Sequence, residues 1–437
     1  MQYEGVHAIP ESIRNDDHVI ATYFGQSVEP DILVKTASIA VEQTTGTWTR
    51  VPAETDALRE KHMGRVISVT EVPDYEYALP PGTTERQYVF RVAFPVCNLG
   101  GQIPLLLSSV MGNISMIGKL KLVDLEFPPS FTRRFQGPRF GIPGVRKLLN
   151  IPKRPLVNVM IKPCTGLAPA EGAKLFEEAA MGGVDIVKDD ELIGDVEYSG
   201  CLERVKLFMA KEKKTFEAKG EHTLYTVNVT ERPDRMQILA RAAVAGGANA
   251  LMVNYLTVGI AGMQMLAEDP QIGVPILAHL DFAGVLYESP CSGMSSHLVL
   301  GKLARLAGAD MVVYPCGFGK FNLLAEKFLR IAINLRAPFH NLQPAFPMPG
   351  GGVYQGLVPF MTDLLGADWI VACGGAIFGH PGGGTAGARS VRQAVDAVMA
   401  GIPLAKAAED PANAELKAAI DKWGIYGDQK RLYDIKH

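Results

Sequence analysis

The stretch Gly182-Gly183-Val184-Asp185-Ile186-Val187-Lys188-Asp189-Asp190-Glu191 decides how the chain folds. The apolar run from Val184 to Val187, broken only by Asp185, has the pattern of a buried parallel strand, and its end delivers one lysine and three carboxylates in succession. Such a cluster is expected outside a core. On its own it fits a solvated acidic turn as well as a cation site. Asp190 and Glu191 supply the hard oxygen ligands that Mg²⁺ takes at octahedral sites that retain water.

Outward from this stretch the pattern repeats. Short buried strands are expected at residues 156–161, 184–187, 224–229, 250–253, 276–279, 311–313, 345–347 and 370–372, with amphipathic helices such as 170–181, 199–219, 234–245, 295–306 and 390–400 between or after them. Eight βα units favour a closed (β/α)8 TIM barrel over an open sheet, which would need a switch in winding order. Residues 1–137 are mixed, with strands at 18–24 and 87–94 and a helix at 31–42, in the style of an α+β (ferredoxin-like) N-terminal domain. The glycines and prolines around Phe135-Gln136-Gly137-Pro138 mark the boundary, and residues 138–437 form the barrel with a C-terminal helical tail.

A barrel carries its chemistry at the C-terminal ends of its strands. Polar residues gather there: Lys162 after the first strand, the Lys188 cluster after the second, Asn228 on the third, Asn254 after the fourth and His279 on the fifth. Gly350, Gly351 and Gly352 follow the seventh strand and Gly374 and Gly375 the eighth, where many barrels hold a phosphate with backbone N–H groups.

The 437 residues are 47% hydrophobic with a net charge of −3, so no basic field exists to hold nucleic acid or an anionic membrane, and a small-molecule partner is expected. Six scattered cysteines without a CxxC pair, no signal peptide and no long apolar run point to a reduced, cytoplasmic protein.

With these residues placed, the chain resembles the RuBisCO superfamily over nearly its whole length. Ile161-Lys162-Pro163 with Gly166-Leu167, and Gly183-Val184-Asp185 with Lys188-Asp189-Asp190-Glu191, are similar to the family's two lysine motifs. Glu42-Gln43-Thr44-Thr45-Gly46-Thr47-Trp48-Thr49 resembles the segment that a neighbouring subunit contributes to the site. Gly112-Asn113 and Gly379-His380-Pro381 match further family turns.

The resemblance implies a role for each residue. Lys188 takes up CO₂ as a carbamate and joins Asp190 and Glu191 in holding Mg²⁺. Lys162 moves the proton on and off carbon, for which it must be partly neutral near pH 7. His279 assists proton transfer or holds a hydroxyl. Glu42 and Asn113 touch metal-bound substrate oxygens, and Lys320 is the mobile-loop lysine over the substrate. Thr47, Trp48, Gly352, Cys373 and Gly374 align with the residues that bind one phosphate. Because Glu42, Thr47 and Trp48 would complete a partner's site, the smallest active unit implied is a homodimer.

Departures narrow the activity. Cys164 stands where carboxylases have a second lysine, Leu280 where an arginine binds the distal phosphate, Ala283 and Val313 where histidines stand, and Gly350 where a phosphate-site serine stands. A bisphosphate would leave one dianion without a counter-charge in a closed pocket. Carboxylation of ribulose bisphosphate is therefore rejected, and the chain resembles the RuBisCO-like, form IV proteins. Their shared chemistry is enediolate formation on Mg²⁺. The first expectation here is decarboxylation of a monophosphorylated 3-oxo acid of the 3-oxo-isoapionate 4-phosphate type. The alternative is the 2,3-diketo-5-methylthiopentyl 1-phosphate enolase of methionine salvage, whose catalytic lysine is replaced here by Asn113. A transcarboxylase or hydrolase would use the same groups, and a non-catalytic binding role would leave the site's charges without a purpose that offsets their desolvation.

Overall fold

The computed structural model describes residues 3–13, 15–28, 31–47 and 49–427. Two units divide the chain: one comprises Met1–Gln136, Phe282–Val299 and His340–Leu342, the other Gly137–Asp281, Leu300–Phe339 and Gln343–His437.

In the first unit, strands β1 (His18–Ser27), β2 (Arg65–Val72), β3 (Arg86–Pro95) and β4 (Leu120–Glu126) pair antiparallel in the order β4-β1-β3-β2. Alternation decides which face of β1 is covered: Val19, Ala21 and Tyr23 are fully buried. The Tyr23 ring stacks on Phe90 with centroids 4.9 Å apart, and its hydroxyl donates to the Val110 carbonyl at 2.5 Å. The helix Ile32–Glu42 starts where the Asp31 side chain accepts the Val34 N–H at 3.0 Å, an N-cap. The sequence reading found β1, β3 and this helix but not β2 and β4. Both alternate polar and apolar residues on a sheet that is only partly covered, so neither carries a long apolar run.

The second unit is a closed parallel barrel of β5 (Leu156–Met160), β6 (Ile186–Lys188), β7 (Leu224–Asn228), β8 (Ala250–Val253) and β9 (Ile276–Ala278), continued by β11 (Met311–Pro315), β12 (Phe346–Gly350) and β13 (Ile370–Cys373). The two-residue β10 (Gly293–Met294) belongs to the other unit, where it pairs in parallel with β4. Leu156, Ile186, Leu224, Met252, Phe346 and Ile370 pack in the barrel's buried core, so it is filled with side chains rather than open. All eight expected strands are present, with ends shifted by a few residues. The helix expected at 295–306 is present over residues 296–306, and its middle, Leu298–Lys302, is π-helical before the α-helical Leu303–Leu306.

Asp185, the one charge in the apolar run from Val184 to Val187, is a clamp. Its carboxylate accepts two Arg154 N–H groups at 2.6 and 2.7 Å and the Val157 N–H at 2.7 Å, tying the turn before β6 to β5. Among the described residues no helix is long and apolar enough to cross a membrane.

Asp310 is a second clamp, at the entry to β11. One oxygen accepts the N–H groups of Phe140 and Gly141 at 2.8 and 2.7 Å, and the other accepts that of Ile276 at 2.9 Å. Burial pushes this carboxyl up to about 6, against the backbone donors that favour its anion. Asp310→Asn puts an NH₂ where an acceptor is needed, and a buried unmatched donor costs about 1–3 kcal/mol. Urea unfolding is expected to show a loss in that range; an unchanged midpoint would mean the strand entry closes without this carboxylate.

Candidate active site

The charged cluster at the end of β6 is buried, contrary to the expectation that it lies outside a core. Lys188, Asp189 and Asp190 are 1%, 3% and 2% exposed. Burial is tolerated because each charge meets a partner. Asp189 is directed away from its neighbours' site: its carboxylate faces Arg204 at 3.1–3.2 Å and accepts the Tyr225 hydroxyl at 2.8 Å and the Asn228 N–H at 3.0 Å. That leaves Asp190 and Glu191 as the two carboxylates of this cluster with amines for partners.

Lys162, just past β5, places Nζ 2.5 Å from Asp190 Oδ2 and 3.0 Å from Cys164 Sγ. Glu191 Oε2 lies 3.3 Å from both Lys188 Nζ and His279 Nε2. The Glu191 backbone is fixed from β7 and β8, because its carbonyl accepts Nδ2 of Asn228 at 3.5 Å and of Asn254 at 3.0 Å. His279 Nδ1 meets Asp281 Oδ1 at 3.0 Å.

These contacts set the protonation states. Lys188 is pushed down by burial, although Glu191 and Asp190 oppose the shift. Burial raises Glu191, but the Lys188 ammonium and His279 outweigh it and hold the carboxyl at about 2. His279 is pushed down by burial and by Lys188, so its imidazole is neutral near pH 7. Lys162 departs from the sequence expectation of a partly neutral amine: burial lowers it, yet the hydrogen bonds to Asp190 and Cys164 win and raise it above its ordinary value. A carboxylate at 2.5 Å stabilises an ammonium more than half-burial destabilises it.

A cavity of about 660 Å³ opens at this end of the barrel, lined by Lys162, Lys188, Glu191, His279, Lys320, Gly352 and Gly374 among others. The loop carrying Lys320 rests on the glycines after β12. Lys320 N–H donates to the Gly351 carbonyl at 3.1 Å, and a Cβ on Gly352 would come within 2.7 Å of Lys320 N. Gly351 and Gly352 also have φ of +94° and +81°, so glycine is required twice over. Cys373 is fully buried in β13 with its thiol pushed up by burial, and it is not among the cavity-lining residues. In the first unit, Glu42, Thr47 and Asn113 line a cavity of their own of about 300 Å³, with Asn113 Nδ2 donating to Glu42 Oε1 at 3.5 Å. Trp48 lies outside the described residues.

Sequence reasoning missed Met160, Asp281, Phe321, Tyr354, Lys422 and Trp423 as lining residues of the barrel cavity. Asp281, two residues after His279 at the end of β9, was the one with a signal in the sequence; only the fold brings in the others. Leu280, in place of a phosphate-binding arginine, and Val313, in place of a histidine, line the same cavity and give it an apolar side.

Residues 141–423 match the family model described as "Ribulose bisphosphate carboxylase large chain, catalytic domain", and residues 10–131 match its N-terminal domain. The chain belongs to the RuBisCO large-chain family. It is 48% identical to a ribulose bisphosphate carboxylase-like protein of Archaeoglobus fulgidus, over 94% of this chain and 95% of that one. It is 39% identical to the 2,3-diketo-5-methylthiopentyl-1-phosphate enolase of Geobacillus kaustophilus, over 93% and 98%. Among solved structures it is similar to a rubisco-like protein of Alicyclobacillus acidocaldarius (TM-score 0.87, 38% identity, 94% and 100% covered). It is also similar to the dimeric archaeal Rubisco of Hyperthermus butylicus (TM-score 0.86, 30% identity, 97% and 100% covered).

In this RuBisCO-like protein the depressed Glu191 carboxyl has a consequence for stability. Its contribution is complete above about pH 4.5 and is lost as the pH falls from there toward 2. Denaturant unfolding at stepped pH is expected to show Glu191→Gln with a flatter acid limb than the unsubstituted protein; parallel limbs would show that the Lys188 and His279 contacts add no stability.

Proposed function

We propose that this RuBisCO-like protein removes a proton from the carbon beside a carbonyl in a monophosphorylated keto substrate, in the manner of the 2,3-diketo-5-methylthiopentyl-1-phosphate enolases to which it is similar. The observation that carries this reading is the make-up of the barrel cavity. Lys162 stands beside the carboxylates, glycine turns lie on β12 and β13, and Met160, Leu280 and Val313 supply an apolar wall. That wall suits an uncharged tail better than a second phosphate or a polyhydroxylated chain. Decarboxylation of a 3-oxo acid phosphate, the first expectation from the sequence, is retained as the second reading.

The residues fit a Mg²⁺ site on one condition. Among the described residues no group of three or more His, Cys, Asp or Glu side chains could hold a metal ion. Asp190 and Glu191 need a third anionic ligand, and a carbamate on Lys188 supplies it. CO₂ reacts with a neutral amine, and burial drives Lys188 toward that form. Bound there, Mg²⁺ would polarise the substrate carbonyl and lower the cost of negative charge on the neighbouring carbon.

The chain's own groups then divide the work. Lys162 Nζ moves the proton, and competition for Asp190 lowers its affinity for that proton into a useful range. Neutral His279, oriented by Asp281, hydrogen-bonds a substrate oxygen. Lys320 and the glycine turns hold the phosphate, and Glu42, Thr47 and Asn113 serve a neighbouring subunit's barrel in a homodimer or larger assembly. A specific observation favours the second reading: Asn113 occupies the place of the enolases' catalytic lysine, and an amide cannot act as a base.

Proton NMR in D₂O with Mg²⁺ and bicarbonate, run on the diketo phosphate and on 3-oxo acid phosphates with CO₂ followed in parallel, separates the two. Deuterium uptake or tautomer formation without CO₂ is the expected result, whereas stoichiometric CO₂ from a 3-oxo acid alone would replace the enolase reading with the decarboxylase. Lys162→Met is expected to slow exchange about a thousandfold, within the span of general-base contributions. Chelation with EDTA is expected to abolish exchange, and exchange that survives EDTA would remove Mg²⁺ from the reaction.

A further inference from the structure

A phosphate monoester brings up to about two negative charges into its pocket at neutral pH. The residues aligned with the phosphate site that lie among the described residues, Thr47, Gly352, Cys373 and Gly374, are uncharged at that pH. The compensating charge must come from elsewhere in the cavity. Among the described residues four lysines line it, Lys162, Lys188, Lys320 and Lys422, and no arginine does. Lys162 faces Asp190 at 2.5 Å and is given the proton transfer, and Lys188 faces Glu191 at 3.3 Å and is given the carbamate, so neither is spare for the phosphate. His279 is neutral. Lys320 and Lys422 therefore remain as the lining cations with no ion pair among the described residues.

Lys422 sits in the last turn of the C-terminal helix Ala414–Trp423. Its Nζ donates to the Gly379 carbonyl at 2.6 Å and lies 5.0 Å from the centre of the Trp423 ring. Gly379 closes the short turn Gly375–Phe378 that begins at Gly374, and all three glycines, 374, 375 and 379, line the cavity. An ammonium has three donors. The contact with Gly379 uses one, which steadies the side chain at the glycine turn and leaves two for a ligand.

We propose that Lys422 is an anion-binding residue of this cavity and contacts the substrate's phosphate together with Lys320. The C-terminal helix thereby becomes part of the substrate site. This rests on the reading of the cavity as a site for a monophosphate, and it is independent of which bond the protein goes on to make or break.

The test uses inorganic phosphate as the probe, with calorimetric titration of the full chain in Mg²⁺ and bicarbonate. Lys422→Met removes the charge and the donor, Lys422→Gln removes the charge but keeps a donor for Gly379, and Lys422→Arg keeps both. Met and Gln are each expected to weaken phosphate binding about tenfold and to flatten its salt dependence, with Arg staying within about threefold of the unsubstituted protein. A Gln variant that binds as the unsubstituted protein does, while Met does not, would overturn the proposal, because the hydrogen bond to Gly379 and not the charge would then matter. Equal binding by all variants would overturn it too. If the unsubstituted protein binds no phosphate, the monophosphate reading falls and takes this proposal with it. If phosphate binds in the expected order but no substrate exchanges deuterium, the proposal stands and the enolase reading falls alone.

Discussion

Charge pairing at the end of β6 is the constraint on which the rest of the site depends. Three ionised side chains are buried there within three positions, and burial of an unpaired charge costs several kcal/mol. The structure meets this by giving each charge a partner: Asp189 and Asp190 find theirs on other elements, and Lys188 finds Glu191 three residues on. Arg204 on Cys201–Lys219 and Tyr225 on β7 take Asp189, Lys162 from the end of β5 takes Asp190, and Glu191 takes Lys188 and His279. Displacing any one of these elements would strand a charge. The barrel wall and the site are thus specified by the same contacts.

Three carboxylates look alike in sequence, and pairing makes them different. Asp189 is saturated by a guanidinium, a hydroxyl and a backbone N–H, so it is a structural anchor. Asp190 and Glu191 face amines, which are partners that chemistry can change. An ammonium can lose its proton and an amine can take up CO₂, whereas a guanidinium does neither at neutral pH. The distinction between anchor and reactive group follows from the identity of each counter-charge.

The barrel was legible because its strands are buried on both faces and therefore read as short apolar runs separated by glycine turns. The sheet of the first unit was less so, because β2 and β4 alternate with polar residues and resemble loops. The helix expected at 295–306 was legible from its apolar spacing, but the π-helical segment Leu298–Lys302 inside it was not, because one widened turn leaves that spacing almost unchanged. Within the site, residues at strand ends were legible as clusters of chemistry on a repeating frame. Cys164 could not be assigned from its neighbours in sequence, since its significance is a distance, 3.0 Å to Lys162 Nζ. Lys422 and Trp423 were missed because a C-terminal helix carries no signal that it returns to a barrel mouth.

Asn113 sharpens the division of labour between the units. It lies in the first unit against Glu42, and an amide neither gives nor takes a proton near neutral pH. In the proposed chemistry the proton removed from carbon passes to a barrel residue. Lys188 is committed to the carbamate in the proposed chemistry, and Lys320 rests on a loop over the Phe321 ring at 5.2 Å. Burial leaves His279 neutral between two carboxylates, suited to orienting a substrate oxygen. The proposed reading gives the step to Lys162, and its pair with Asp190 fits that role: the carboxylate that holds its proton is the same one that a cation at the site would claim.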